Sequence, residues 1–140
     1  MKYIRISTDP SDMDIDLIHS FLSTQARWCT GIPRTIVEKA IANSLCFGVF
    51  LNGTQVGFCR MVTDFATFGN LVDVFVVPEH QGKGYCQMML AEVNNHPELQ
   101  GLRRIMLATS DKHALYEKAG FKPLLKPEIF MEKFNPLVYK

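Results

Sequence analysis

The chain has 140 residues, 47% of them hydrophobic and 21% charged, with a formal net charge of +1. This is ordinary globular usage in a chain long enough to bury one core, and it points to a single domain over residues 1–140. The near-zero charge, with no Lys/Arg block, argues against a nucleic-acid partner. No apolar run approaches the ~20 residues of a membrane span, which argues against a membrane partner. Cys29, Cys46, Cys59 and Cys86 lack paired metal spacing and lie mostly in apolar stretches. Reduced thiols in a cytoplasmic protein, without a metal, are the expectation.

In chain order, residues 2–6 alternate and predict a first strand; the pattern is not that of a signal peptide. Residues 12–24 read as a helix with Ile15, Ile18, Phe21 and Leu22 on its buried stripe. Residues 27–32 form a loop, and Pro33 suits the first turn of a second helix ending near Asn43. Residues 45–51 and 54–63 are strands joined by Asn52-Gly53, a strong hairpin signal. After a loop over 64–69, residues 71–77 make a nearly continuous apolar strand, expected to be buried on both faces. Residues 85–95 are helical, 104–109 a strand, and 113–119 a short last helix with Ser110 or Asp111 as its N-cap. A final strand is expected around residues 129–133.

The most informative segment is Val76-Val-Pro-Glu-His-Gln-Gly-Lys-Gly-Tyr-Cys86. A strand ends at Pro78, a turn carries Gly82 and Gly84, and a helix follows with Cys86, Met89, Leu90 and Val93 on one face. The first turn of a helix has N–H groups without intrahelical partners and partial positive charge, so glycines there let an anion approach the backbone. Lys83 adds a full charge. A P-loop is excluded, because Gly84 stands where Ser or Thr must follow Gly-Lys. A dinucleotide fingerprint is excluded, because Gln87 stands where its third glycine is needed.

The segment resembles the central motif of the GNAT acetyltransferase superfamily: Gln or Arg, two residues, Gly, one residue, then Gly or Ala. Gln81, Gly84 and Cys86 occupy its marked positions, Cys86 being a departure that is still small. A second run, Ala114-Leu-Tyr-Glu-Lys-Ala-Gly-Phe121, reads as a short helix stopped by Gly120 with Phe121 packing back. It resembles the Leu-Tyr-x-x-x-Gly-Phe segment near the C-terminus of the same superfamily, in the same order. The resemblance covers residues 71–121; the N-terminal third carries no motif of its own.

The resemblance implies the α/β GNAT fold, a twisted mixed sheet with helices on both faces in the order β-α-α-β-β-β-α-β-α-β. It implies acetyl-CoA as co-substrate. The pyrophosphate would be held by Gln81, Gly82, Lys83, Gly84, Tyr85, Cys86 and Gln87, and the pantetheine arm by main-chain groups of Val74, Phe75 and Val76. It implies direct acetyl transfer to a primary amine, with Tyr116 beside the thioester sulfur as general acid. Asp73 is the candidate base or amine anchor, although relatives often carry their carboxylate one position earlier, at Val72 here. As the one charge in an apolar strand, Asp73 needs water or a partner, with Arg60 at hand on the preceding strand. Arg27, Trp28, Phe65 and Phe68 are the candidate acceptor-site residues, Trp28 being equally readable as a core anchor between helices. No asparagine stands at residues 110–112, where many relatives contact the cofactor. The acceptor reads as a small-molecule amine. The alternatives are a protein amine or a GNAT-fold protein that binds CoA without turnover, and a homodimer is left open.

Overall fold

A computed structural model describes residues 2–140. Its strands are β1 (Ile4–Ser7), β2 (Leu45–Leu51), β3 (Thr54–Thr63), β4 (Phe68–Val76) and β5 (Arg104–Met106). Its helices are α1 (Ile15–Thr24), α2 (Arg34–Ala42), α3 (Tyr85–Asn95) and α4 (His113–Lys118). The strands form one sheet in the order β1-β2-β3-β4-β5, antiparallel up to β4 and parallel between β4 and β5.

Alternation along the strands sends side chains to two cores. On one face Ile18 and Leu22 of α1 and Val37 and Ile41 of α2 pack with Cys46, Phe58 and Phe75. On the other, Tyr85, Met89, Leu90 and Val93 of α3 and Tyr116 of α4 pack with Phe47, Val49, Cys59 and Met61. The sheet is therefore sandwiched between two helix pairs, as the resemblance implied. The hairpin turn at Asn52-Gly53 has positive φ at both residues, 50° and 85°, the geometry that matches strand twist.

Several boundaries differ from expectation. Helix α1 starts at Ile15, because the Asp14 carboxylate caps it by accepting the Leu17 N–H. Residues 10–12 form a separate 3-10 turn capped by Asp9. The N-cap of α4 is Lys112, neither Ser110 nor Asp111; the Lys112 N–H donates to the Thr109 hydroxyl at 3.1 Å. No strand forms at residues 129–133, where the structure has only a 3-10 turn over Pro127–Ile129. Pro123, Pro127 and Pro136 each lack an N–H, so the segment is poorly equipped to extend a ladder.

Strand β4 also departs from a doubly buried apolar run. It begins earlier, at Phe68, and its burial is mixed. Arg60 pairs with Val72 and Phe58 with Phe75, so Asp73 and Val74 together oppose the single residue Cys59. That is a β-bulge, and Asp73 takes the left-handed conformation at φ 56°. The extra residue reverses the faces: Leu71 belongs to the α3 core and Phe75 to the α1–α2 core. Strand β5 pairs β4 only over residues 68–70, so β4 continues past its partner with one edge free.

Candidate active site

The bulge, the free edge and the glycine turn are continuous in sequence and in space. Beyond Asn70 the β4 edge facing β5 has no strand partner, which leaves main-chain groups of Val74, Phe75 and Val76 available on that side. The chain then turns at Pro78–His80 and reaches Gly82 and Gly84, both left-handed, at φ 76° and 84°. A Cβ at either glycine would meet no protein atom within 4 Å, so the space above the turn is open. Gly84 is the N-cap of α3, and its carbonyl accepts the Met88 N–H at 3.1 Å. The N–H groups of Tyr85, Cys86 and Gln87 are the first of the helix and have no intrahelical acceptor. The Gln81 side chain also braces the turn, its amide donating to the Val76 carbonyl at 2.9 Å and tying the loop back to β4. The Tyr85 ring is turned into the core, so only its backbone faces the turn. Cys86 is half-buried, and burial pushes its thiol up to about 11. Lys83 is exposed beside the glycines.

Tyr116 lies on α4, which is tied to α3. The helix ends in a full Schellman cap: the Gly120 N–H donates to the Glu117 carbonyl at 3.0 Å and the Phe121 N–H to the Tyr116 carbonyl at 3.1 Å. Gly120 takes φ 97°, and the Phe121 ring packs edge-on against Tyr116 at 6.1 Å. Gln87 and Asn94 of α3 reach the carbonyls of Leu115 and Ala119, at 3.4 and 2.8 Å, and fix α4 against α3. From helical spacing, Leu115 and Ala119 are the expected buried face, with Tyr116 pointing elsewhere. Leu115 and Ala119 do pack partly buried against the core, but Tyr116 does not point elsewhere: it is the most buried residue of α4 and joins the same core. Burial, with smaller effects of Cys86, Cys59 and Asp111, pushes its phenol up to about 12. The hydroxyl has no hydrogen-bond partner among the described residues, and Tyr116 lines an open groove of about 880 Å³ together with His113.

On the opposite face of the sheet, Asp73 is an organising centre. Its carboxylate accepts from Arg60 Nε at 2.7 Å and from Trp28 Nε1 at 2.9 Å. Arg60 Nη1 donates onward to the Ser44 hydroxyl at 3.0 Å. The expected pairing of Asp73 with Arg60 is present. Trp28 is 58% exposed, so it is not a core anchor; its indole is held over the surface by Asp73. Arg27 is exposed beside it. Phe65 and Phe68 sit elsewhere, at the β3–β4 hairpin tip, roughly 16 Å along the strand from Asp73. Their turn is rigid, because the Asp64 carboxylate accepts the N–H groups of Ala66, Thr67 and Phe68 and the Thr67 hydroxyl. These bonds, the hydroxyl's first, hold Asp64 far below the usual carboxylate range. The structure thus joins Trp28 to Asp73 and keeps Phe65 and Phe68 apart from them. The Trp28–Asp73 bond spans 45 residues of sequence and leaves no local signal. The bulge was hidden too; its one trace is an Asp, a residue that tolerates positive φ, within an apolar strand.

Residues 42–123, more than half of the chain, match the acetyltransferase (GNAT) domain family. The chain belongs to the GNAT acetyltransferase family. A Gibberella zeae protein named as an acetyltransferase is 40% identical, with 81% of this chain and 75% of that protein covered. The crystal structure of a GNAT-family acetyltransferase from Xanthomonas campestris pv. campestris has a TM-score of 0.95 at 50% identity, covering 98% of this chain and 96% of that one. A Clostridium acetobutylicum acetyltransferase solved with acetyl-CoA shares the fold, with a TM-score of 0.67 at 19% identity, covering 98% of this chain and 97% of that one. The GNAT match begins at the last residue of α2 and ends two residues after the Gly120–Phe121 cap. The loop between α1 and α2 that carries Trp28, and the C-terminal segment after residue 123, lie outside the matched GNAT region.

Proposed function

We propose that this GNAT protein transfers acetyl from acetyl-CoA directly to the primary amine of a small molecule. The observation that carries the reading is the β4 edge freed beyond Asn70, leading without interruption into the open glycine turn. These residues fit the co-substrate. A side chain at Gly82 or Gly84 would intrude into space that is free of protein, and the unpaired N–H groups of α3 with Lys83 suit a pyrophosphate. The free edge of Val74, Phe75 and Val76 suits an extended amide-bearing arm. Acetyl-CoA supplies the activated acetyl group when bound.

The chain's own residues then divide the work. A backbone N–H on the β4 edge stabilises charge that develops on the carbonyl oxygen. Tyr116, with its phenol pushed up to about 12, keeps its proton through the neutral range and donates to the departing sulfur. Asp73 has both carboxylate oxygens engaged, so it positions the Trp28 indole and leaves the amine proton to water. An alkyl amine of pKa ~10 costs about 4 kcal/mol to deprotonate at neutral pH, a modest share of such a barrier. The exposed indole face attracts an ammonium group through its quadrupole.

The test is thiol release from acetyl-CoA across a panel of small primary amines and short peptides. Release with a small amine supports the reading. Release with peptides alone makes the acceptor a protein amine. Acetyl-CoA binding without release from any amine means a CoA-binding module.

A further inference from the structure

Trp28 is the one tryptophan of the chain, and its indole is locked while its face stays open. The ring is 58% exposed, yet its N–H is committed to Asp73 Oδ1 at 2.9 Å. That bond holds because each group behind it is itself held. The β-bulge, with Asp73 at φ 56°, sets the direction of the carboxylate. The other Asp73 oxygen accepts from Arg60 Nε at 2.7 Å, and Arg60 Nη1 donates to the Ser44 hydroxyl at 3.0 Å. Ser44 in turn donates to the Ala40 carbonyl at 2.6 Å. Leu22, Ile32, Val37 and Phe58 line the same small cavity as Arg60 and Asp73, so the ion pair backs onto the α1–α2 core. The loop around Trp28 has spent its polar groups in the same way. The Thr30 hydroxyl donates to the Ala26 carbonyl at 3.2 Å, and the Gly31 N–H to the Ser23 carbonyl at 2.9 Å. His19 Nε2 is bonded to the Ile32 carbonyl at 3.0 Å.

We propose that the locked indole face of Trp28 selects an acceptor whose ammonium group sits on an apolar body, an alkyl or arylalkyl amine, over an amino acid or an aminosugar. The inference rests on the transfer reaction proposed above and adds the class of acceptor. The face attracts an ammonium through the ring quadrupole and covers a hydrocarbon body with apolar area. It has little to offer a hydroxyl or a carboxylate, because the indole N–H is already committed and so are the Ser44 and Thr30 hydroxyl protons. An acceptor bearing such groups gives up water against the ring without a replacement, or must break the network to find one. Arg27 is exposed beside the indole, and a carboxylate paired with it would stay in solvent, where such pairs contribute little. Fixing the ring before the acceptor arrives also removes an ordering cost from binding.

Matched pairs of amines test this, read by tryptophan fluorescence, which in this chain reports Trp28 alone. Free phenylalanine adds a carboxylate to phenethylamine, and glucosamine adds hydroxyls to a ring amine such as cyclohexylamine. Titrated into the full chain with CoA present, each apolar amine is expected to give a saturable change, with affinity ~10-fold or more above that of its polar partner. Thiol release from acetyl-CoA should follow the same order in kcat/KM, the difference lying mainly in KM. Trp28→Ala alters an exposed position, so the fold should persist by circular dichroism. Calorimetry and thiol release on that variant should show the preference erased and the acetyl-CoA affinity unchanged. A binding preference without thiol release from any amine would sink the transfer reaction and still support this mode of recognition. The proposal is overturned by a polar partner that binds as tightly, by no fluorescence response to either apolar amine, or by an unaltered preference in Trp28→Ala.

Discussion

Tyr116→Phe removes one oxygen and keeps the ring that Phe121 packs against. Because the hydroxyl has no protein partner among the described residues, stability should change by less than about 1 kcal/mol. With an acceptor in hand, kcat and kcat/KM should fall together by roughly 10²-fold, as expected for an interaction made mainly in the transition state. Steady-state kinetics beside a thermal melt separates the two effects, and full turnover in the Phe variant would make Tyr116 a packing residue. Asp73→Asn should behave in the opposite way. It leaves the Arg60 guanidinium, only 19% exposed, without its carboxylate, at a cost of about 3 kcal/mol read as a lowered melting temperature. Its turnover at a temperature where the fold persists should fall less than that of the Tyr116 variant. A variant of full stability with turnover reduced 10²-fold or more would instead make Asp73 the base.

At the scale of elements, the bulge in β4 and the turn before α3 create the cleft. Gly84→Val adds a branched side chain at φ 84°, where L-residues are strained, and points it into the open space above the turn. Elements with strong local patterns were legible in the sequence. Strands β2 and β3 match their predicted limits because Asn52-Gly53 fixes the hairpin, and α3 matches because the glycine turn fixes its start. Features that depend on tertiary pairing were not legible. β5 stops at Met106 because β4 leaves it after Asn70, and the tail stays unpaired because no strand among the described residues bonds to it. The burial of Tyr116 alongside Leu115 and Ala119 on α4 escapes the sequence for a related reason. On a six-residue helix the face is set by what α3 and Phe121 offer rather than by its own periodicity.

For the whole molecule, the buried thiols set an alkaline limit. Burial pushes Cys29, Cys46 and Cys86 from an ordinary 9.0 to about 11, and Cys59, at the centre of the sheet, well above its ordinary value. The unfolded chain releases these protons near pH 9 while the folded chain keeps them. The folded state therefore binds more protons between pH 9 and 11, and stability falls as pH rises through that window. The melting midpoint, followed with reductant present, should drop by about 10 °C or more between ~pH 8 and ~pH 10. A flat profile would mean that the thiols titrate normally and are reached by water.

Everything assigned to the cleft depends on the glycine turn and the free β4 edge receiving acetyl-CoA. Calorimetric titration of acetyl-CoA into the wild-type protein and into Gly84→Val, at matched salt and with both folds verified, addresses this most directly. Saturable binding to the wild type is expected, with affinity at least ~10-fold weaker, about 1.4 kcal/mol, in the variant. Equal affinities would place the pyrophosphate elsewhere and contradict the assignment of the glycine turn.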